Sequence, residues 1–210
     1  MKLCDMTVIQ FVDTVASDAP APGGGSVAAL AGSIGAALTA MVGNLTQGRK
    51  KYAQYAEFAA RVEQKGNELK ARLLDVMDRD TEAFLLVSAA FAMPKDTDEE
   101  KAARSAAIQE GLKACTKTPM EMMELCAQAA KLAYDFAENG FNSSSASDLG
   151  VAFLSLSAAI RGAWLNVLIN IASLKDQAFA DECRNRGRAL LGETLPLCDA
   201  GYEKVLETVS

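Results

Sequence analysis

Pro22-Gly23-Gly24-Gly25-Ser26-Val27-Ala28-Ala29-Leu30 opens an uncharged stretch, residues 19–48, whose reading decides the fold. Three successive glycines allow backbone angles closed to other residues and let another group approach the main chain closely. Ser26 then offers a helix N-cap, and from Val27 the apolar pattern is helical. Leu30, Ile34, Leu38, Met41 and Leu45 share one face at spacings of three and four, while Ala28, Gly32, Gly35, Ala36, Thr39 and Gly43 share the other. The small face predicts an unusually close helix crossing. A membrane span needs about 20 apolar residues, and the stretch is long enough. Its bulk is Ala and Gly, however, with Ser33 and Thr39 inside and Asp18 on its flank. The expectation is therefore a buried central helix, apolar all round, with no membrane partner.

Working outward, helical periodicity continues through the chain and no segment of β period appears. Thr7 or Asp5 caps a short helix through Val8, Phe11, Val12 and Val15. The pattern over 53–92 predicts a helix of roughly 60 Å, with only Gly66 against it and Pro94 beyond its end. Asp98, Glu99 and Glu100 place acids in the first turn of a helix over 98–115. Thr118-Pro119-Met120-Glu121 reads as a fresh start, with Thr as N-cap and Pro at the first helical position, and Asn139-Gly140 as its stop. A polar loop over 141–147 leads into a long apolar helix from Asp148 to about residue 174. Two more helices, over 177–191 and 197–208, are divided by Gly192 and Pro196. The expected architecture is a single all-α domain, 1–210, a bundle of about six to eight helices including two long ones.

Composition narrows the chemistry. Of the 210 residues half are hydrophobic and few are aromatic, and the net charge of -6 argues against nucleic-acid or anionic-membrane partners. There is no histidine. That removes histidine acid/base catalysis, Ser-His and Cys-His nucleophile pairs and histidine-ligated metal sites, and no metal site is expected. The five cysteines, Cys4, Cys115, Cys126, Cys183 and Cys198, are scattered and never spaced as C-x-x-C, which fits reduced thiols in a cytoplasmic protein. The N-terminus lacks the apolar run of a signal peptide. Residues 43–50 miss the phosphate loop of nucleotide hydrolases, because no Lys-Ser/Thr pair follows Gly48 and the segment leaves a helix.

Two patterns are candidates for a site. The apolar stripe of the 53–92 helix reads Leu69, Leu73, Val76, Asp80, Phe84, Val87, Phe91, which puts a carboxylate at a core-facing position. Burial raises the pKa of such a group toward the range of a working acid or base. The alternatives are a carboxylate satisfied by a lysine or backbone groups, or one turned to solvent by a local twist. The second pattern is a small-and-polar stripe, Asp148, Ala152, Ser155, Ala159, Gly162, Asn166, Asn170 and Ser173. It can line a pocket in which the amides read a polar heterocycle, or it can form a close helix crossing. Arg49, Lys50 and Lys51 form a cationic cluster that can sit in solvent or attract an anionic tail.

Pro22-Gly23-Gly24-Gly25-Ser26-Val27-Ala28-Ala29-Leu30, Met41-Val42-Gly43-Asn44-Leu45-Thr46, Asp80-Thr81-Glu82-Ala83-Phe84, Asn142 with Ser147-Asp148-Leu149-Gly150-Val151, and Asn166, Asn170 and Lys175-Asp176 together resemble the formiminotransferase-cyclodeaminase C-terminal domain family. The resemblance covers nearly the whole chain. It implies an all-helical, homodimeric enzyme of folate one-carbon metabolism, either a formiminotetrahydrofolate cyclodeaminase or a methenyltetrahydrofolate cyclohydrolase. The folate derivative is then substrate, and no further cofactor is expected. Asp80 or Asp148 would serve as acid/base or pterin contact, and Asn166 and Asn170 would orient the ring. Gly23, Gly24, Gly25 and Ser26 would form a wall, with Asn142 and Ser147 as further contacts. Arg49, Lys50, Lys51 and Lys175 are candidates for the glutamate tail. The competing class is a non-catalytic helical assembly protein that has kept the fold, which would bind no tetrahydrofolate.

Overall fold

The computed structural model describes residues 2–210 and is all-α. Among these residues there are six α-helices: α1 (Val8–Val15), α2 (Gly24–Thr46), α3 (Ala56–Phe91), α4 (Asp98–Asn139), α5 (Ala146–Ile171) and α6 (Gln177–Val209). Short 3-10 turns at Leu3–Asp5, Lys50–Tyr55 and Ser143–Ser145 complete the described structure. Helices α2, α3, α4 and α5 form a closed ring in chain order, each packed on the next and α5 back on α2, while α6 covers α4 and α5. Short connections make ring neighbours antiparallel, so one end of the bundle gathers the start of α2, the end of α3 and the end of α5.

Several starts and stops follow the sequence signals. Thr7 caps α1 in a reciprocal box with Gln10, and Thr97 does the same for α4 with Glu100. Gly140 ends α4 at φ 107°, and a Cβ there would lie 2.5 Å from the Tyr55 ring, so the residue answers both a backbone and a space requirement.

The α2 expectation needs three corrections. Gly23, not Ser26, is the N-cap, and Ser26 lies buried inside the first turn. None of Gly23, Gly24 and Gly25 takes a positive φ, and of the three only Gly25 is held by a close approach, whereas a Cβ on Gly23 would meet open space. The helix also packs with the face opposite to its large residues: Ala28, Ala29, Gly32, Gly35, Ala36, Thr39 and Gly43 are buried, while Ile34, Met41 and Leu45 are exposed. Small residues let the backbones of α3 and α5 come close enough for dispersion contacts along the whole crossing. A Cβ on Gly35 would meet Leu156 at 2.6 Å, and one on Gly43 would meet the Ala59 carbonyl at 2.9 Å.

Prolines failed to break two helices. The predicted pair over 98–115 and 118–139 is one helix, α4, with Pro119 inside it, and the pair over 177–191 and 197–208 is one helix, α6, with Pro196 inside. An interior proline removes the hydrogen bond to the carbonyl four residues back. At Pro196 that carbonyl belongs to exposed Gly192, where water can take over. At Pro119 it belongs to Cys115, and the Asn170 amide donates to it at 2.7 Å. Both breaks are therefore repaired.

Gly66 of α3 tests the close-packing account. A Cβ there would lie 2.9 Å from the Ala40 Cβ and 3.0 Å from the Ala36 carbonyl oxygen. Alanine gains up to about 1 kcal/mol in a helix interior, whereas overpacking costs about 1–3 kcal/mol. Gly66→Ala is expected to lower the midpoint of urea unfolding without changing its slope, despite the better helix propensity.

Candidate active site

Asp80 sits where α3 passes the first turn of α2. Leu69, Leu73 and Val76, the preceding residues of its stripe, are fully buried; beyond Asp80, Val87 is buried as well, while Phe84 and Phe91 are exposed. The carboxyl lies against Gly25 so closely that a Cβ on that glycine would be 2.3 Å from Oδ2. This contact explains a glycine at position 25. Burial raises the Asp80 carboxyl from the ordinary 3.8 to about 6, opposed in part by the Thr118 hydroxyl. Its neighbours on α3 stay in surface pairs: Asp75 accepts from Arg79 at 2.7 Å, and Asp78 accepts from the Leu3 N–H at 2.8 Å.

From α5, Asn166 and Asn170 reach the same place. The Asn166 Nδ2 donates to the Gly162 carbonyl at 2.9 Å, and the Asn170 Nδ2 donates to the carbonyl that Pro119 leaves unpaired. Each amide nitrogen holds one carbonyl acceptor in this way, which leaves a second N–H and the Oδ1 of each amide for a ligand. Ser26 and Thr81 face each other with their hydroxyl oxygens 3.3 Å apart. The first-turn N–H groups of α2, at Gly24, Gly25 and Ser26, have no intrahelical partners and carry the positive end of the helix dipole.

Together these residues enclose a cavity of about 280 Å³, floored by the glycines, with Asp80 as its one charged lining residue. Gly23, Gly24, Gly25, Ser26, Asp80, Asn166 and Asn170 are thus brought to one place, as the resemblance implies. Thr81, Phe84, Cys115 and Ile169 also line it and were not singled out beforehand. Phe84 was legible only as a member of the Asp80 stripe, and Cys115 only as the residue four before a proline. Burial, then the nearby Asp80, pushes the Cys115 thiol up to about 11, so it stays protonated.

The other candidates lie elsewhere in the chain. Asn142, Ser147, Asp148, Arg49, Lys50 and Lys51 gather at the opposite end of the bundle, roughly 33 Å along α2 from Gly24. There Asn142 is buried and its groups are occupied: its N–H donates to the Thr46 hydroxyl, its Nδ2 to the Leu45 carbonyl, and its Oδ1 accepts from the Ser144 N–H, each at 3.0 or 3.1 Å. It ties the end of α2 to the start of α5. Tyr52, beside the cationic cluster, shares a 3.0 Å hydrogen bond with Ser143. Lys175 is exposed at the corner after α5 and donates to the Ser105 hydroxyl at 2.7 Å. A larger depression of about 530 Å³ between α3, α4 and α6 is open and collects none of the predicted residues. Among the described residues no group of three metal-ligating side chains occurs, and all five cysteines are free.

The formiminotransferase-cyclodeaminase family profile matches residues 7–189. A methenyltetrahydrofolate cyclohydrolase of Methylorubrum extorquens is 44% identical over 204 residues, covering 97% of this chain and 98% of that protein. A formimidoyltransferase-cyclodeaminase of Rattus norvegicus is 37% identical over 192 residues, which span 91% of this chain and 35% of that protein. Among solved structures, formiminotetrahydrofolate cyclodeaminase of Thermotoga maritima superposes with a TM-score of 0.81 at 27% identity, over 99% of this chain and 97% of that one.

The raised Asp80 carboxyl has a consequence for stability. A carboxyl that binds its proton more tightly in the folded state contributes stability below its unfolded value near 3.8, and that contribution is lost as pH rises through about 6. Asp80→Asn, which removes the buried charge, is expected to be more stable than the native protein at pH 7, with the gap closing by pH 4. Thermal unfolding of both proteins across that range checks this.

Proposed function

The chain belongs to the formiminotransferase-cyclodeaminase family, and from this premise we propose that it is a methenyltetrahydrofolate cyclohydrolase. Like its relatives it is an enzyme of folate one-carbon metabolism. The observation that carries the finer reading is the setting of Asp80, a carboxyl held near neutrality in a pocket that has no basic side chain in its lining. The methenyl bridge between N5 and N10 is a delocalised cation, and one carboxylate in a half-enclosed site suits it. The end-to-end likeness to the Methylorubrum extorquens protein supports the same choice.

In this reaction water adds to the bridge carbon and the ring opens to the 10-formyl compound. At neutral pH Asp80 is mostly ionised and takes a proton from the attacking water as the C–O bond forms. The protonated carboxyl then gives that proton to N5 as the C–N5 bond breaks, and the remaining hydroxyl proton leaves to solvent as the formyl C=O forms. A group with a pKa near the working pH performs both transfers efficiently. The Oδ1 atoms of Asn166 and Asn170 accept from the amino and ring N–H donors of the pterin, and the free N–H groups of α2 meet its carbonyl oxygen. Phe84 offers an apolar wall. The folate itself is the only organic group the scheme requires.

The same proposal includes a homodimer in the cytoplasm. α2 and α5 have the length and mean hydropathy, 1.6 and 1.5, of membrane-crossing helices, yet α2 packs its small-residue face, and α5 the face of Leu149, Phe153, Leu156, Ile160 and Val167, inside the bundle. Their outer faces remain uncovered: Ile34, Met41 and Leu45 on α2, and Val151, Leu154, Leu165 and Ile169 on α5. Ile169 belongs both to this face and to the pocket rim, so a second copy seated here covers the mouth of the site. A two-fold axis across α2 would bring the partner's far end, with its cationic cluster, to that mouth, which accounts for motif residues at both ends of one chain.

Three outcomes are expected. The pure protein consumes 5,10-methenyltetrahydrofolate, seen as decay of its near-ultraviolet absorbance, and Asp80→Asn loses at least about a hundredfold in kcat while still binding folate by calorimetry. A flat native trace beside ammonia release from the formimino substrate would instead favour cyclodeamination. Leu165→Glu, away from the pocket, is expected to give a monomer by light scattering.

A further inference from the structure

Three helical asparagines in this bundle turn their amides onto their own helix. The Nδ2 of Asn67 donates to the Glu63 carbonyl at 3.0 Å, that of Asn139 to Asp135 at 2.7 Å and that of Asn166 to Gly162 at 2.9 Å, each four residues back. Asn170 does not. Its Nδ2 leaves α5 and donates at 2.7 Å to the Cys115 carbonyl of α4, 55 residues away in sequence. In an unbroken helix that carbonyl would already hold the N–H of residue 119. Residue 119 is a buried proline, with no N–H to give and a ring that crowds the carbonyl four residues back. The acceptor that Asn170 uses is free because of the proline.

We propose, on the reading of the cavity as a folate site, that Pro119 is a positioning residue which sets the orientation of the Asn170 amide toward the ligand. Cys115 and Asn170 both line the cavity, and Pro119 acts on it through them. An asparagine amide has a donor side and an acceptor side, and a free one presents either by turning about its last torsion. With one N–H committed to Cys115 that rotation is stopped, and Oδ1 and the second N–H are held for the donor and acceptor groups of a pterin edge. Asn166, one turn earlier on α5, is fixed by its own helix and needs no such device. Pro196 gives the contrast, because the carbonyl it frees belongs to Gly192, which is exposed to solvent. Proline is the least favourable residue in a helix interior. At position 119 its cost to α4 is offset by an amide fixed in the pocket wall.

Calorimetry of tetrahydrofolate binding, beside thermal unfolding, tests this on Pro119→Ala, Asn170→Ala and the double variant. Pro119→Ala returns an N–H to the Cys115 carbonyl and lets the Asn170 amide turn. It is expected to unfold a few degrees above the native protein, because the gain in helix propensity outweighs the ring carbons lost. It is nevertheless expected to bind about tenfold more weakly, the worth of one hydrogen bond. In the Asn170→Ala background the same change is expected to leave affinity as it is, since the proline acts only through that amide. Pro119→Gly, which also supplies the N–H, takes the place of alanine if that form does not fold. Unchanged affinity in Pro119→Ala overturns the proposal. So does an equal loss in the Asn170→Ala background, which would make the proline a general support of the helix. Failure of the native protein to bind tetrahydrofolate removes the reading of the cavity itself, whereas native binding beside an unaffected Pro119→Ala removes only the role of Pro119.

Discussion

The contact between the Asp80 carboxyl and Gly25 is the constraint on which the pocket depends. A carboxylate is rarely allowed into a helical interface, because burial raises its free energy unless something compensates. Here compensation comes from the positive end of α2 and from the Thr118 hydroxyl, and neither is as strong as a basic partner would be. The group is left between its two protonation states near pH 6. Any side chain at position 25 would push the carboxyl away from the helix end. Gly25 is therefore a space requirement imposed by chemistry on α3.

That requirement extends along α2. Small residues bring α3 and α5 close to its backbone over its full length, and this holds Asp80 from one side and Asn166 and Asn170 from the other in fixed relation. It also forces the large residues of α2 outward. An apolar face that looks like core in one dimension is surface in the single chain, and it is continuous with the rim of the pocket at Ile169. Packing inside the subunit and the proposed association between subunits are in this sense two results of one amphipathic choice.

Much of this was legible in the residues. The all-α class, the cap at Thr7 and the stop at Gly140 follow from periodicity and local turn chemistry, while the grouping of the glycines with Asp80, Asn166 and Asn170 was implied by the family resemblance. Which face of α2 is buried was not, because hydrophobicity favours the large face while shape favours the small one, and close crossing decided it. Pro119 and Pro196 misled for a related reason: local rules count the hydrogen bond a proline removes, but not the Asn170 amide or the solvent that replaces it. Asn142 was placed by motif, Asp148 by motif and by a stripe that runs the length of α5, and the cluster at residues 49–51 by its charge, and none of these carries distance.

The account rests most directly on the state of one carboxyl. Carbon-13 labelling of aspartate side chains, with the Asp80 signal assigned by its loss in Asp80→Asn, would follow its titration in the ligand-free protein. A midpoint near 6 is the predicted result. A midpoint at the ordinary value near 3.8 would show a solvated surface acid and contradict the assignment of Asp80 as the proton carrier.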